Sequence, residues 1–145
     1  MLEVSLPSPN VAPKPLSFTA AAYAQMIGAA YDGYPLEACG LLVGEGTHVH
    51  RFVACTNEAA SARIYSVPGK ELLQADRAAE ADGLAIIGVF HSHTHSEPYP
   101  SPTDVAQAPD PGWFYVIVGL KREAPEARGY RIVDGVISEV PISVG

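Results

Sequence analysis

Residues 84–104 read LAIIGVFHSHTHSEPYPSPTD, an uninterrupted apolar run followed at once by a segment rich in histidine and proline. The apolar run, Leu84–Phe90, predicts a central strand that other parts of the protein cover on both faces. The histidines that follow occupy every second position, and residues i and i+2 of a strand point to the same face. The sequence therefore predicts a group of imidazoles at the end of a buried strand.

His91 and His93 are the two imidazoles best placed to bind one metal ion. A catalytic zinc takes three protein ligands and leaves a fourth position open for water, so a third ligand is needed. His95 continues the alternation, but on a straight strand it would lie about 13 Å from His91. It could bind the same ion only if the chain bent sharply after His93, which makes it the weaker candidate.

Asp104 is the better candidate for the third ligand. The prolines at 98, 100 and 102 favour a turning, non-helical loop. The segment Ser101-Pro-Thr-Asp104 then has the composition of a helix start, with serine at the cap, proline at the first position and an acid at the third. Such a loop can return the carboxylate to the histidine pair. Helix capping alone would also explain Ser101 and Asp104, and the residues themselves leave both interpretations open.

Hydrolysis at a metal also needs a base, for which a carboxylate beside zinc is a common choice. Glu37 is the candidate because it precedes the predicted buried strand Ala38–Gly44, where a charge is less expected. An ordinary exposed acid at a strand start would explain Glu37 equally well. A second His-x-His pair, His48 and His50, has no acid behind it at short range, and we interpret it as the solvent face of a hairpin strand.

The remaining pattern predicts one α/β or α+β domain, a mixed sheet with helices packed on it. One helix is predicted to begin at Phe18 after a Ser17 cap, and another to run over residues 69–82. The second helix is predicted to face inward through Leu72, Leu73 and Ala79. Further strands are predicted over Thr47–Cys55, Trp113–Val118, Tyr130–Val133 and Val136–Val140. Residues 1–16 are predicted to form a Pro-rich arm, and residues 17–145 the domain.

Composition excludes several classes of function. The net charge of −7, with nine scattered basic residues, argues against a nucleic-acid partner. No segment approaches the 18 or so apolar residues of a membrane span, and the start lacks the features of a signal peptide. We therefore expect no membrane partner and a cytoplasmic location. Cys39 and Cys55 are expected to be free thiols packed as small apolar groups.

Taken together, Glu37, His91-Ser-His93, Ser101 and Asp104 resemble the JAMM motif of the MPN+ metalloprotease family. That motif consists of a distant Glu, then His-(Ser/Thr)-His, seven residues, Ser, two residues and Asp, and the spacing here fits it. The resemblance extends over roughly residues 18–140 and implies a single MPN-type domain with a curved mixed sheet flanked by helices.

The resemblance also implies roles for the matching residues. His91, His93 and Asp104 would hold one Zn²⁺ with a bound catalytic water. Glu37 would take a proton from that water and pass it to the leaving amine, and Ser101 would donate a hydrogen bond to the developing oxyanion.

Within the family, the motif region is similar to small bacterial peptidases that release cysteine from ubiquitin-like sulfur-carrier proteins during cysteine synthesis. The implied partner is such a carrier with a C-terminal Gly-Gly tail, which can thread a narrow groove because it has no side chains. Whether the chain forms a homodimer is left open.

Two alternatives remain beside this expectation. One is an isopeptidase, similar to a deubiquitinase, that removes a ubiquitin-like protein from lysine. The other is a non-catalytic MPN scaffold, although such relatives have lost motif residues and this chain retains them. A zinc deaminase is set aside, since it would need His-x-Glu followed by Pro-Cys-x-x-Cys.

Overall fold

The computed structural model describes residues 14–145, so most of the predicted arm over residues 1–16 lies outside the described residues. The elements, in chain order, are β1 (Leu16–Phe18), α1 (Ala20–Gly33), β2 (Cys39–Glu45), β3 (His48–Cys55), α2 (Gly69–Ala81), β4 (Ala85–His93), α3 (Pro102–Ala106), β5 (Phe114–Gly119), β6 (Glu126–Val133), β7 (Val136–Val140) and β8 (Ile142–Val144). Each strand and helix that the sequence predicted is present, and β4 extends three residues beyond Phe90. None of the helices in residues 14–145 combines the length and the hydropathy of a membrane-spanning segment.

The strands form one mixed sheet in the order β7-β6-β5-β4-β2-β3-β1-β8. The pairs β4–β5, β1–β3 and β1–β8 are parallel, and the other neighbouring pairs are antiparallel. Strands β7 and β8 are separated only by Pro141, yet they lie at opposite ends of the strand order. The sheet is therefore curved into a nearly barrel-like form, which confirms the predicted fold class.

Both faces of the sheet are covered. On one face, Ala22, Met26 and Ala30 of α1 pack into a core with Leu42 and Phe90. On the other face, Ala75 of α2 packs into a second core around residues that include Leu41, Val89 and Ile117. The side chains of Leu41 and Leu42, which are adjacent in the sequence, are thus buried in the cores on opposite faces of the sheet. This explains why the central strands are continuously apolar.

The first helix begins later than predicted. Thr19, not Ser17, is its N-cap, and Thr19 Oγ1 accepts a hydrogen bond of 3.1 Å from Ala22 N. Ser17 and Phe18 belong to β1, in which Leu16 and Phe18 are fully buried and Ser17 is only partly buried. This alternation is the period of a strand, and β1 is held by long-range pairing that a local pattern does not predict.

The inward face of α2 also differs from the prediction in one position. Ala79 is buried and Leu72 partly buried, as predicted, but Leu73 is 49% exposed, and Ala75 takes its place in the core. Positions 72, 75 and 79 lie at the i, i+3 and i+7 spacing of one helical stripe, and position 73 lies a quarter turn away from it.

Candidate metal centre

Two histidines project from the end of β4 toward one point. His91 and His93 lie two residues apart in the strand, so their rings share a face, and their Nε2 atoms are 3.1 Å apart. Ser92 points the other way, and its Oγ accepts a hydrogen bond of 2.8 Å from the N–H of Ala38, the residue just before β2. This bond fixes the end of β4 against the neighbouring strand. Both imidazoles are buried.

Asp104 reaches the same point from α3. A capping box starts this short helix: Ser101 Oγ accepts from Asp104 N at 3.0 Å, and Asp104 Oδ2 accepts from Ser101 N at 2.9 Å. The same Oδ2 lies 3.1 Å from His91 Nε2 and 3.0 Å from His93 Nε2. Helix capping and proximity to the histidines, which the sequence offered as alternative explanations of Asp104, are therefore both realised in one carboxylate.

The three atoms fit a tetrahedral metal ion. Zinc bonds of about 2.0–2.1 Å place neighbouring ligand atoms about 3.3 Å apart, close to the separations found here. His93 Nδ1 lies 2.7 Å from the backbone oxygen of Glu97, which can only accept, so Nδ1 carries the proton and the Nε2 lone pair is free for a metal. The ring of Tyr65 stacks on that of His91, with centroids 4.2 Å apart, and fixes its plane.

The charges of the three groups are strongly coupled. Burial raises the pKa of Asp104, but its hydrogen bonds with the two histidines outweigh this and hold the pKa well below its usual range. Burial lowers the pKa of His91, which favours the neutral imidazole that a metal requires. Burial acts in the same direction on His93, but Asp104 and the Glu97 carbonyl raise its pKa overall.

Glu37 lies just before β2, where its carboxylate faces the histidine pair. The ligand atoms of Glu37, His91 and His93 all lie within 4.8 Å of one another. Glu37 is only 4% exposed, and its Oε1 has no hydrogen-bond partner among the described residues. Burial raises the pKa of Glu37 to about 7, although the nearby His93 opposes this shift and Asp104 adds to it. Asp104 is thus in direct contact with both imidazoles, and Glu37 offers an unpartnered oxygen beside them.

Ser101 completes the arrangement. Its Oγ accepts the capping bond from Asp104 N, which leaves the hydroxyl hydrogen free to donate elsewhere. Ser101, Glu37 and His93 line one cleft of about 470 Å³. The structure therefore brings together all five residues that the sequence singled out.

The other histidines lie outside this cluster. His95 also lines the cleft, but its ring packs 6.0 Å from that of Tyr34, and its Nδ1 is 2.9 Å from Thr94 Oγ1. His50 is exposed, as predicted, whereas His48 is partly buried, with its Nδ1 2.7 Å from Ser17 Oγ.

Sequence reasoning missed two residues that support the site, Tyr65 and Asn57. Both lie in the connection between β3 and α2, which has no helix or strand and therefore no periodicity to reveal an inward position. Asn57 Nδ2 donates to the backbone oxygen of Glu37 at 2.9 Å, and Glu37 N donates to Ser61 O at 2.8 Å. This connection holds Glu37 in place.

The chain is similar in sequence to several known proteins. Residues 19–133 match the family described as prokaryotic homologs of the JAB domain. The chain is 41% identical over 123 residues to the CysO-cysteine peptidase of Mycobacterium tuberculosis, an alignment that covers 82% of this chain and 84% of the relative. It is 38% identical over 96 residues to the desampylase of Haloferax volcanii, covering 62% of this chain and 66% of the relative.

Solved structures give the same result for the fold. A protein from Desulfitobacterium hafniense superposes with a TM-score of 0.79 at 29% identity, covering 89% of this chain and 92% of that one. A JAB1/MPN domain protein from Archaeoglobus fulgidus has a TM-score of 0.58 at 19% identity, covering 88% of this chain and 99% of that one, which is a likeness of fold alone.

Proposed function

Because the chain belongs to the family of prokaryotic JAB-domain proteins, we propose that it is a zinc-dependent peptidase acting on ubiquitin-like sulfur-carrier proteins. It hydrolyses the peptide bond after the C-terminal Gly-Gly of the carrier and releases a residue such as cysteine for cysteine synthesis. The observation that carries the proposal is the meeting of three metal-ligand atoms with a buried, unpartnered carboxylate oxygen at one cleft.

His91, His93 and Asp104 would hold the zinc ion. Two imidazole nitrogens and one carboxylate oxygen are a ligand set typical of catalytic zinc, and three protein ligands leave one position free. When bound, zinc would acidify a coordinated water and polarise the carbonyl of the scissile bond.

Glu37 acts as the general base and then the general acid. Burial raises the pKa of this carboxyl from its ordinary value, which favours acceptance of a proton from the attacking water before that proton is returned to the leaving amine. Ser101 donates a hydrogen bond to the oxygen that becomes negatively charged as the carbonyl carbon is attacked. Its capping bond fixes the position of Oγ before substrate arrives, so that little reorganisation is needed.

The substrate class is supported by the similarity to the CysO-cysteine peptidase of Mycobacterium tuberculosis. A Gly-Gly tail has no side chains and can pass along a narrow cleft that excludes most other peptides.

An isopeptidase that frees a ubiquitin-like protein from lysine is the second candidate. Glu37 and Ser101 act on the scissile amide itself, and this chemistry is the same whether the leaving amine belongs to an amino acid or to a lysine side chain. The relatives carry two different names, a CysO-cysteine peptidase and a desampylase.

The test is incubation of the purified protein with a carrier fused to a C-terminal Gly-Gly-Cys, followed by mass spectrometry of the products. We expect loss of the terminal cysteine alone, inhibition by a chelator, and recovery with zinc. Glu37→Gln should lower the rate at least about a hundredfold and still bind one zinc. Glu45→Gln, at an exposed acid, serves as the matched control.

Each alternative has its own outcome. Full activity of Glu37→Gln or of metal-free protein would contradict the mechanism. Cleavage of a lysine-linked conjugate but not of the Gly-Gly-Cys fusion would favour the isopeptidase, and zinc binding without cleavage of either would favour a scaffold.

A further inference from the structure

One fixed positive charge lines the cleft, and the mechanism above does not use it. Arg63 lies there with Glu37, His93 and Ser101, and it is the only arginine or lysine of residues 14–145 that lines this cleft. Several other surface arginines are paired with acids, but among residues 14–145 no acid lies within ion-pair distance of Arg63. The guanidinium is therefore free to bind a ligand that enters the cleft.

The backbone around Arg63 is fixed relative to the candidate metal centre. Ser61 Oγ accepts hydrogen bonds from Arg63 N at 3.0 Å and from Ile64 N at 3.3 Å. Thr94, which follows His93, donates from Oγ1 to Ala62 O at 3.3 Å. These bonds tie the backbone of residues 61–64 to the segment that follows β4, so the Arg63 side chain starts from a defined point on the wall of the cleft.

The chemistry of the leaving group decides whether a cation is useful there. When a single C-terminal residue is released, its α-carboxylate carbon lies within about 4 Å of the scissile carbonyl carbon and must enter the same cleft. In a lysine-linked conjugate, the four methylenes of the side chain separate the scissile amide from the backbone, and no free carboxylate accompanies the leaving amine.

We propose that Arg63 binds the free α-carboxylate of the released residue and thereby selects substrates with one C-terminal amino acid after the scissile bond. This inference rests on the proposed function and names the leaving group of the same reaction. A guanidinium binds a carboxylate through two parallel hydrogen bonds, which fixes orientation as well as charge. A divalent cation would balance the two negative charges of Glu37 and Asp104. The positive charge of Arg63 would then remain to balance the single negative charge of the substrate's α-carboxylate.

The experiment compares two carriers that differ only at the terminus, Gly-Gly-Cys with a free carboxylate and Gly-Gly-Cys carboxamide. We expect the wild-type kcat/KM to be about ten to a hundred times higher for the acid. Arg63→Ala should remove this preference by raising KM for the acid, with the amide changed less than about twofold. Arg63→Lys keeps the positive charge but not the two parallel N–H donors of the guanidinium, so its preference for the acid should lie between those of the wild type and Arg63→Ala. Arg77→Ala, at an exposed arginine of α2 that has no ion-pair partner among residues 14–145, should leave kcat/KM unchanged for both substrates.

A binding measurement separates this inference from the proposed function. In the Glu37→Gln background, Arg63→Ala should raise the Kd for the acid carrier by the factor by which it raises KM, and leave the Kd for the amide carrier unchanged. Equal losses for both termini, or no loss for the acid, would overturn the role of Arg63. If wild-type enzyme cleaves neither carrier, the proposed function fails, and the two Kd values still show whether Arg63 distinguishes acid from amide.

Discussion

Asp104 joins a helix to the candidate metal centre through one oxygen atom. Its Oδ2 accepts the capping bond from Ser101 N and lies within 3.1 Å of both histidine Nε2 atoms. The carboxylate is therefore oriented before any metal binds, because the capping box fixes its rotamer. Preorganisation of this kind lowers the entropy lost when the ligands close around an ion.

Replacement of Asp104 by asparagine should separate these two roles. The amide oxygen can still accept the capping bond, so α3 should keep its position, but the ligand loses its charge. We expect the zinc affinity to fall by more than about a hundredfold, since loss of partners beyond the ligands alone costs about 10–100-fold. Competition with a chromogenic chelator measures the affinity. The exposed acid Glu123, changed to glutamine, is the control, and an unchanged affinity in Asp104→Asn would exclude Asp104 as a ligand.

The two cysteines are predicted to be chemically inert in the folded protein. Burial, with smaller contributions from Cys55 and Glu71, raises the pKa of Cys39 to about 12, and burial raises the pKa of Cys55 to about 11. The thiolate is the reactive form, and at pH 8 about one Cys55 thiol in a thousand would be ionised.

Alkylation with iodoacetamide should therefore be slow at pH 8 and accelerate about tenfold for each unit of pH up to 10. At pH 8, intact-mass spectrometry should show two modifications only after unfolding in guanidinium. Rapid modification of the folded protein at pH 8 would mean that these thiols are more exposed than the structure indicates.

The connection between β3 and α2 is an irregular segment with a well-defined hydrogen-bond centre. Asn57 Nδ2 donates to the backbone oxygens of Glu37 at 2.9 Å and Ile64 at 3.0 Å. Asn57 Oδ1 accepts from Ala59 N at 3.1 Å and from Ser66 N at 3.0 Å. The side-chain amide of Asn57 thus holds this segment in one conformation next to Glu37, as backbone hydrogen bonds do in a helix or strand.

Asn57→Ala should leave those backbone groups without partners and loosen the position of Glu37. We expect kcat/KM to fall about tenfold or more with zinc still bound, and the free energy of unfolding to fall by about 1–3 kcal/mol. Hydrogen exchange of residues 57–66 should accelerate. Gln74→Ala removes an exposed amide from α2 and is the control; equal exchange in the two variants would show that Asn57 does not order the segment.

The sequence predicts best those elements whose signals are local. The hairpin between β6 and β7 follows from Asp134-Gly135, and both residues have the positive φ, 52° and 76°, that such a turn requires. The meeting of His91 and His93 follows from their spacing on one strand, whereas the role of Asp104 as a third ligand is an expectation from the family resemblance, since a capping box alone also explains that residue. Strand β1 and the roles of Asn57 and Arg63 were not predicted, since each depends on contacts with distant segments that leave no local pattern.

At the scale of the whole molecule, the structure depends on closure of the curved sheet around α1. Phe18 is fully buried in β1, the strand that lies between β3 and β8. Its ring packs edge-to-face on that of Tyr23, with the ring centroids 5.7 Å apart. Its side chain therefore belongs to the core that α1 shares with the sheet.

Phe18→Ala should lower the free energy of unfolding by about 3–5 kcal/mol, the usual cost of removing a buried phenyl ring. Guanidinium denaturation followed by circular dichroism measures this change. Tyr31→Ala, which removes an aromatic ring that is 49% exposed, should cost much less. Similar losses in the two variants would contradict the structural importance of the β1 position.

The pairing of β1 with β8 also determines how late in synthesis the sheet can be completed. Residues 16–18 are translated before their partners at 142–144, which follow 126 positions later. At about 5–20 residues per second, the nascent chain spends roughly 6–25 s with one side of β1 uncovered. During that interval the backbone N–H and C=O groups on one edge of β1 have no strand partner, and an unpaired strand edge is a place where a strand of another chain can add.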